Sequence, residues 1–242
     1  MKESQFRTFF ANFVIIAVLM LSFGLSFVLT YPNESDVKTV NNAVYEGNKN
    51  SASVALMFNV YENADNVLKI ATVLESYGFN ATFFVGGSWV AKNQDALLRL
   101  ASMGFEIGNH GYLHRDHARL DCEQNKKEIR LTEKLIQSIL CDLPSYESSR
   151  LFAPPSGSLG NAMFKACEEL GFKVIMWTRD TIDWRDKDAD LIYERAIKNL
   201  QGGDLILMHP TDCTVQALPK ILDYIKSNGF SADTVSNVIR AE

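Results

Sequence analysis

From residue 51 onward, short apolar runs alternate with amphipathic stretches of helical period, and the pattern recurs six times. The predicted strands are 53–59, 81–85, 105–108, 151–153, 173–178 and 204–208. The predicted helices are 64–77, 94–103, 123–140, 162–170, 190–200 and 215–227. This alternation is typical of a parallel sheet covered by helices. Six units in about 190 residues predict an α/β fold of the distorted or incomplete (β/α) barrel type, because a full barrel has eight.

Residues 9–31 form an apolar run that is preceded by Lys2 and Arg7. As a helix, this run is long enough for a hydrocarbon layer of roughly 30 Å. It predicts a transmembrane anchor, with residues 1–8 as a cytoplasmic tail, 32–50 as a polar linker and 51–242 as an extracytoplasmic domain of a single-pass cell-membrane protein. The alternative is a cleaved signal peptide and a secreted protein.

Charge and cysteine content narrow the function classes. The net charge is −5 and the basic residues are scattered among acids, so the sequence predicts no nucleic-acid partner. The four cysteines lack Cys-x-x-Cys spacing, which argues against a structural zinc site. We interpret them as thiols, although their even number leaves one disulfide open.

Three of the four histidines stand at or just beyond the end of a predicted strand. In an α/β barrel, chemistry gathers at that edge of the sheet. His110 and His114 form a His-x-x-x-His pair that can direct two imidazoles at one metal ion. His209 ends the apolar run 205–208, whereas we interpret His117 as a surface residue.

Two further loops follow predicted strands and carry polar groups. Residues 177–184 read Trp-Thr-Arg-Asp-Thr-Ile-Asp-Trp, and residues 152–157 read Phe-Ala-Pro-Pro-Ser-Gly. Each loop alone is weak evidence, because an Asp-Trp pair or a Pro-Pro turn is often structural. Their occurrence in register with the histidines indicates one site.

Taken together and in this order, these segments resemble the polysaccharide deacetylases with a NodB-homology domain, carbohydrate esterase family 4, over residues 53–238. The matching segments are Met57-Phe58-Asn59-Val60, His110-Gly-Tyr-Leu-His114, Ala153-Pro-Pro-Ser-Gly157, Asp180-Thr-Ile-Asp183-Trp184 and Leu207-Met208-His209. Within the family, the chain is most similar to a sporulation-associated subgroup whose first motif is also altered.

The resemblance implies a metal-dependent hydrolysis of N-acetyl groups. A divalent ion, most often zinc and sometimes cobalt or a similar metal, would be held by His110 and His114 and would activate water. His209 would be the general acid and Asp183 the carboxylate that orients it. The backbone N–H of Ser156 would help to hold the oxyanion.

Three positions depart from the family pattern. Asn59 stands at the position of the catalytic base, Val60 at that of the third metal ligand and Ala153 at that of an arginine that orients the base. Asn cannot take a proton at neutral pH and Val has no lone pair. Glu62 is a candidate replacement for the base or the third ligand, and Asp65 and Asp212 also lie near predicted strand ends; the alternative for each is a solvated loop acid.

The sequence therefore predicts deacetylation of an N-acetylated wall polysaccharide, peptidoglycan or a chitin-like glycan, weakened by these losses. The alternative is a catalytically inactive glycan-binding or scaffolding pseudoenzyme. In either case the partners would be a wall glycan and, through the N-terminal helix, the membrane. Trp89, Trp177 and Trp184 are possible sugar-stacking platforms, Trp184 within the site, with buried core rings as the alternative.

Overall fold

The computed structural model describes residues 43–144 and 146–240, together with Phe13 and Met20. The predicted anchor at 9–31 therefore lies outside the described residues, apart from those two positions. Within the part of the chain that is described, no helix has the length and apolarity to cross a membrane.

The described residues contain one curled sheet in which all strand pairings are parallel. Its strands are β1 (Ala43–Val44), β2 (Ser53–Val60), β3 (Thr82–Val85), β4 (Glu106–Asn109), β5 (Leu151–Phe152), β6 (Lys173–Ile175), β7 (Arg179–Asp180), β8 (Leu205–Met208) and β9 (Ser231–Asp233). Their order is β1-β6-β5-β4-β3-β2-β8-β7, and β9 pairs with the start of β2. The predicted incomplete α/β barrel is confirmed.

Helices follow most of the strands and cover the sheet. They are α1 (Ala64–Tyr77), α2 (Gly87–Val90), α3 (Gln94–Ser102), α4 (Cys122–Leu140), α5 (Asn161–Leu170), α6 (Ala189–Ile197), α7 (Asp212–Ser227) and α8 (Val235–Arg240). Local signals fix their ends: the Asn63 side chain caps α1, and Asp121 and Gln124 form a capping box on α4. The six predicted helices are all present within three residues of their predicted ends.

The core is centred on β2, whose residues 54–60 are all buried. The strand is a continuous apolar run rather than an alternating one because both of its faces are buried: residues 54, 56, 58 and 60 pack into one apolar cluster and residues 55 and 57 into another. Phe58 stacks on Phe83 of β3 with ring centroids 5.1 Å apart. A rigid central strand thus carries Asn59 and Val60 at its carboxyl end.

The entry segment also belongs to the sheet. Ala43 and Val44, which fall within the predicted linker 32–50, pair with β6, and Glu46 forms a bridge with Asp204 just before β8. Residues 43–46 therefore run from β6 towards β8 across the side of the sheet that the other strands leave open. Strand β1 could not be predicted, because a two-residue strand is too short to show a period.

Candidate active site

A cleft of about 880 Å³ opens where β2, β4 and β8 end. Its lining is Asn59, Tyr61, Glu62, Asn63, Leu113, His114, Asp183, Trp184, Lys187, His209, Pro210, Thr211, Asp212 and Cys213. The parallel strands bring these residues together because their carboxyl ends share one edge of the sheet. Ser156, predicted to help hold an oxyanion, is not part of this lining; it lies exposed in a 3₁₀ turn after β5 with φ of 55°.

One wall of the cleft carries a hydrogen-bonded group centred on Asp183. Its buried carboxylate accepts bonds from the His209 backbone N–H at 2.6 Å, from His209 Nδ1 at 2.8 Å and from Thr214 Oγ1 at 2.6 Å. Because Asp183 accepts at Nδ1, that nitrogen carries the hydrogen and Nε2 is left for the cleft. His209 is thereby held in one orientation, in which Nε2 can bind a ligand donor or exchange a proton.

The opposite wall carries His110 and His114, whose ring centroids lie 5.3 Å apart. His110 is buried behind His114, and its Nδ1 donates to the Ala153 carbonyl at 2.7 Å. Burial lowers the pKa of His110 to about 3, and partial desolvation lowers the pKa of His114. Both imidazoles are therefore neutral at pH 7, with lone pairs available to a ligand.

The three altered positions are buried, and Asn59 alone among them lines the cleft. Val60 and Ala153 have no exposed surface, and Asn59 is 5% exposed. Asn59 Oδ1 is buried and has no hydrogen-bond partner among the described residues. A buried acceptor without a partner is costly and marks a position where a ligand group can supply the missing bond.

The donor set does not fit the metal that the family's chemistry implies. Catalytic zinc takes three protein ligands, and here the position of the third ligand holds Val60, a buried hydrocarbon side chain without a lone pair. Over residues 43–144 and 146–240, no group of three or more His, Cys, Asp or Glu side chains is arranged to hold an ion. Of the candidate replacements, Glu62 and Asp212 line the cleft, while Asp65 is exposed outside its lining.

The structure separates the three tryptophans. Trp184 is 61% exposed and lines the cleft. Trp177 is partly buried against the core, and Trp89 is buried. A sugar-stacking role is therefore wrong for Trp89, because its ring is covered by other side chains.

The interpretation of His117 as a surface residue is also wrong. Its ring is fully buried, lies 5.0 Å from the Phe152 ring and donates from Nδ1 to Asn125 Oδ1 at 2.6 Å. Burial lowers the pKa of this imidazole. Helix α4 supplies Asn125 and covers the ring, and the loop sequence alone does not show that cover.

The four cysteines are free, and Cys213 lies in the cleft lining.

Two residues without a sequence prediction, Tyr61 and Glu128, shape the cleft wall that carries His110 and His114. The Tyr61 ring packs edge-on against His114 with centroids 4.9 Å apart, and its hydroxyl donates to the Tyr112 carbonyl at 2.9 Å. Glu128 is a buried residue of α4 that packs beneath the loop of residues 110–114. An acid on the apolar side of a predicted helix was the available signal for Glu128.

Comparison with known proteins identifies the family of this chain and agrees with its fold. The family model for polysaccharide deacetylase matches residues 46–175. Over 201 residues the chain is 30% identical to a peptidoglycan-N-acetylglucosamine deacetylase of Bacillus cereus, covering 81% of this chain and 71% of that protein. The chain belongs to the polysaccharide deacetylase family, whose enzymes hydrolyse N-acetyl groups and are generally metal-dependent.

Another relative is the uncharacterized protein YlxY of Bacillus subtilis, which is 33% identical over 196 residues. That match covers 81% of this chain and 60% of YlxY, so the chain spans less than two thirds of that relative's length.

Solved structures include both active and inactive proteins of this fold. BA3943 of Bacillus anthracis, a CE4 family pseudoenzyme, superposes with a TM-score of 0.77 at 29% identity, covering 82% of this chain and 69% of that one. A mutant of BA3943 with restored enzymatic activity gives the same TM-score at 27% identity. The Bc1960 peptidoglycan N-acetylglucosamine deacetylase gives 0.76 at 28% identity, covering 82% and 92%.

Proposed function

We propose that the cleft binds an N-acetylated wall glycan, of the peptidoglycan or chitin-like class, without the family's metal-dependent hydrolysis. The observation that carries this proposal is the pair Asn59 and Val60 at the end of β2. One is a neutral amide and the other a hydrocarbon, and both are buried. The cleft therefore has neither a carboxylate base nor a third metal ligand at these positions. The similarity to BA3943, a pseudoenzyme, supports the same conclusion.

The remaining groups suit a neutral sugar. Trp184 offers an exposed ring at the cleft mouth, and Leu113 adds an exposed apolar side chain. Asn59 offers an unpaired amide oxygen to an N–H or O–H donor, and His209 offers Nε2. An N-acetyl sugar carries the matching amide, hydroxyls and apolar ring face, which suits a site of a few polar groups on an apolar lining.

Calorimetric titration of the full-length chain with a tetramer of N-acetylglucosamine tests binding, with the de-N-acetylated tetramer as matched control. We expect measurable binding of the acetylated tetramer, at least about tenfold tighter than that of the control, because the loss of a hydrogen-bonding partner costs about 1.4 kcal/mol or more. We also expect no acetate release with or without added zinc. Equal affinity for both tetramers would refute recognition of the acetyl group.

Weak hydrolysis is a second candidate, favoured by one observation. The Asp183, His209 and Thr214 group is fully hydrogen-bonded, which is the arrangement expected for a working general acid. If this candidate holds, acetate is released from the tetramer and the release is lost in His209→Ala. Release that persists in His209→Ala would come from another source.

We further propose that residues 9–31 anchor the chain in the cell membrane with residues 43–240 outside, because the glycan lies there. Protease added to intact cells is expected to digest the domain. Protection of the domain until the cells are lysed would contradict this location.

A further inference from the structure

We infer that Glu128 is a positioning residue, which fixes the loop 110–114 and with it the ring of His114 on the cleft wall. We call residues 110–114 the histidine loop. Glu128 lies on α4 and is 6% exposed. A single oxygen, Oε2, accepts the backbone N–H of Tyr112 at 2.8 Å and that of Leu113 at 2.7 Å.

These two amides are the ones that precede His114. A carboxylate that accepts two backbone N–H groups makes charge-assisted bonds, which are stronger than neutral ones. The other oxygen of Glu128 lies 3.5 Å from Arg115 Nε, immediately after His114. Glu128 thus holds the chain on both sides of a residue whose φ of 52° is in the left-handed region, where a non-glycine side chain is strained.

Other backbone groups of the histidine loop are also hydrogen-bonded. The N–H of His110 donates to the Val85 carbonyl at 3.0 Å, and the N–H of Gly111 donates to Asn109 Oδ1 at 3.0 Å. The Gly111 carbonyl accepts from the Gly87 N–H at 2.9 Å.

The Tyr112 carbonyl is shared by two donors, the Ser88 N–H at 3.0 Å and the Tyr61 hydroxyl at 2.9 Å. Protein groups therefore hold the backbone of the loop through Leu113. Glu128 is the one charged group among these partners, and it contributes two of the bonds.

One face of helix α4 carries the residues that contact the histidine loop and neighbouring segments. Asn125, Glu128, Ile129 and Thr132 recur at helical spacing on one face of the helix. Asn125 accepts from His117, and the Ile129 carbonyl accepts from Asn109. A side chain at Gly87 would bring its Cβ to within 2.5 Å of Thr132 Oγ1, so the segment that follows β3 also lies against this face of α4.

The test compares Glu128→Ala, Glu128→Gln and Glu133→Ala in the full-length chain. Glu133 is the matched control, because it lies on the same helix, is 7% exposed and bonds Gln137 and Ser148 instead of the histidine loop. The first readout is the imidazole ¹⁵N NMR signal of His114, and the second is affinity for the N-acetylglucosamine tetramer.

We expect Glu128→Ala to shift or broaden the His114 signal and to weaken tetramer binding by about tenfold or more. Glu128→Gln keeps an acceptor oxygen for the Tyr112 and Leu113 amides but loses the charge beside Arg115, so it should change both readouts less than Glu128→Ala does. Glu133→Ala should leave both unchanged even if it lowers the melting temperature. A His114 signal that is the same in Glu128→Ala and Glu133→Ala would overturn the inference.

Hydrogen exchange in the wild-type chain keeps the inference testable if Glu128→Ala does not fold. The amides of Tyr112 and Leu113 should exchange slowly, and exchange as fast as in freely exposed loops would overturn it. The affinity readout rests on the proposed glycan function, whereas the NMR and exchange readouts do not. A wild-type chain that fails to bind glycan would refute the proposed function and leave the role of Glu128 to these two measurements.

Discussion

Replacing Asp183 by alanine should destabilise the domain by about 3 kcal/mol. Asp183 is 2% exposed and its carboxylate accepts from three donors, so its removal breaks three bonds at once. The donors differ in what they can recover. Thr214 Oγ1 lies 2.8 Å from Thr211 Oγ1 and can turn to it, and the His209 side chain is 26% exposed and can reach water. The His209 backbone N–H has no such substitute among the described residues, and a buried unpaired donor costs about 1–3 kcal/mol.

The rest of the expected loss comes from the cavity and from the weaker bonds of the two recovered donors. Asp183→Asn preserves the shape and one acceptor oxygen, so we expect about 1 kcal/mol for that variant. The assay is urea unfolding at pH 7 with the m value held constant between variants. Asp190→Ala serves as control, because its exposed ion pair with Lys220 should contribute less than about 1 kcal/mol. An Asp183→Ala loss no larger than that of the control would refute the reasoning.

Three further outcomes follow from the site. Zinc titration should show binding no tighter than about 10 µM for the wild type. Val60→Asp should tighten zinc binding by about tenfold or more, because a third ligand is restored; unchanged affinity would contradict the assignment of position 60 to the third ligand. The free energy of unfolding should fall as pH drops from 6.5 towards 3, by up to about 1.4 kcal/mol per pH unit for each proton. The reason is that His110 binds a proton when unfolded, whereas burial in the folded chain lowers its pKa to about 3. His110→Gln should flatten the slope of the urea midpoint against pH, and an unchanged slope would refute this assignment. Trp184→Ala should weaken tetramer binding about tenfold. It should change the free energy of unfolding by less than about 0.5 kcal/mol, because Trp184 is 61% exposed. A large stability loss would show that the ring belongs to the core.

The parts of the fold that local chemistry determines could be predicted from the sequence. Helix α1 has its predicted bounds because Asn63 caps its start and Gly78 adopts φ of 67° at its end. The proximity of His114 and His209 could also be expected, since parallel strands place their carboxyl ends at one edge. The changes at Asn59 and Val60 could be noted from the order of the motifs.

Burial and loop contacts could not be predicted in the same way. His117 is polar and lies between charged residues, yet α4 and Phe152 enclose it. Glu128 resembles any helical acid until its bonds to the histidine loop are seen. Ser156 follows a rigid Pro-Pro turn as expected, but the direction of that turn leaves it outside the cleft lining. Each outcome depends on neighbours that are distant in the sequence.

The pairing of β1 with β6 has a consequence for how the domain folds. Val44 is among the first residues of the domain to be synthesised, but its partner Ile175 comes only after β2 to β5 have been made. Strand β1 therefore cannot pair until β6 has been synthesised. Pairing of β1 with β6 closes a long loop, and the entropic cost of that closure slows folding. Until it docks, β6 presents an unpaired edge of the kind that recruits other chains. Variants that weaken the pairing of β1 with β6 should aggregate during refolding more than their native stability would suggest.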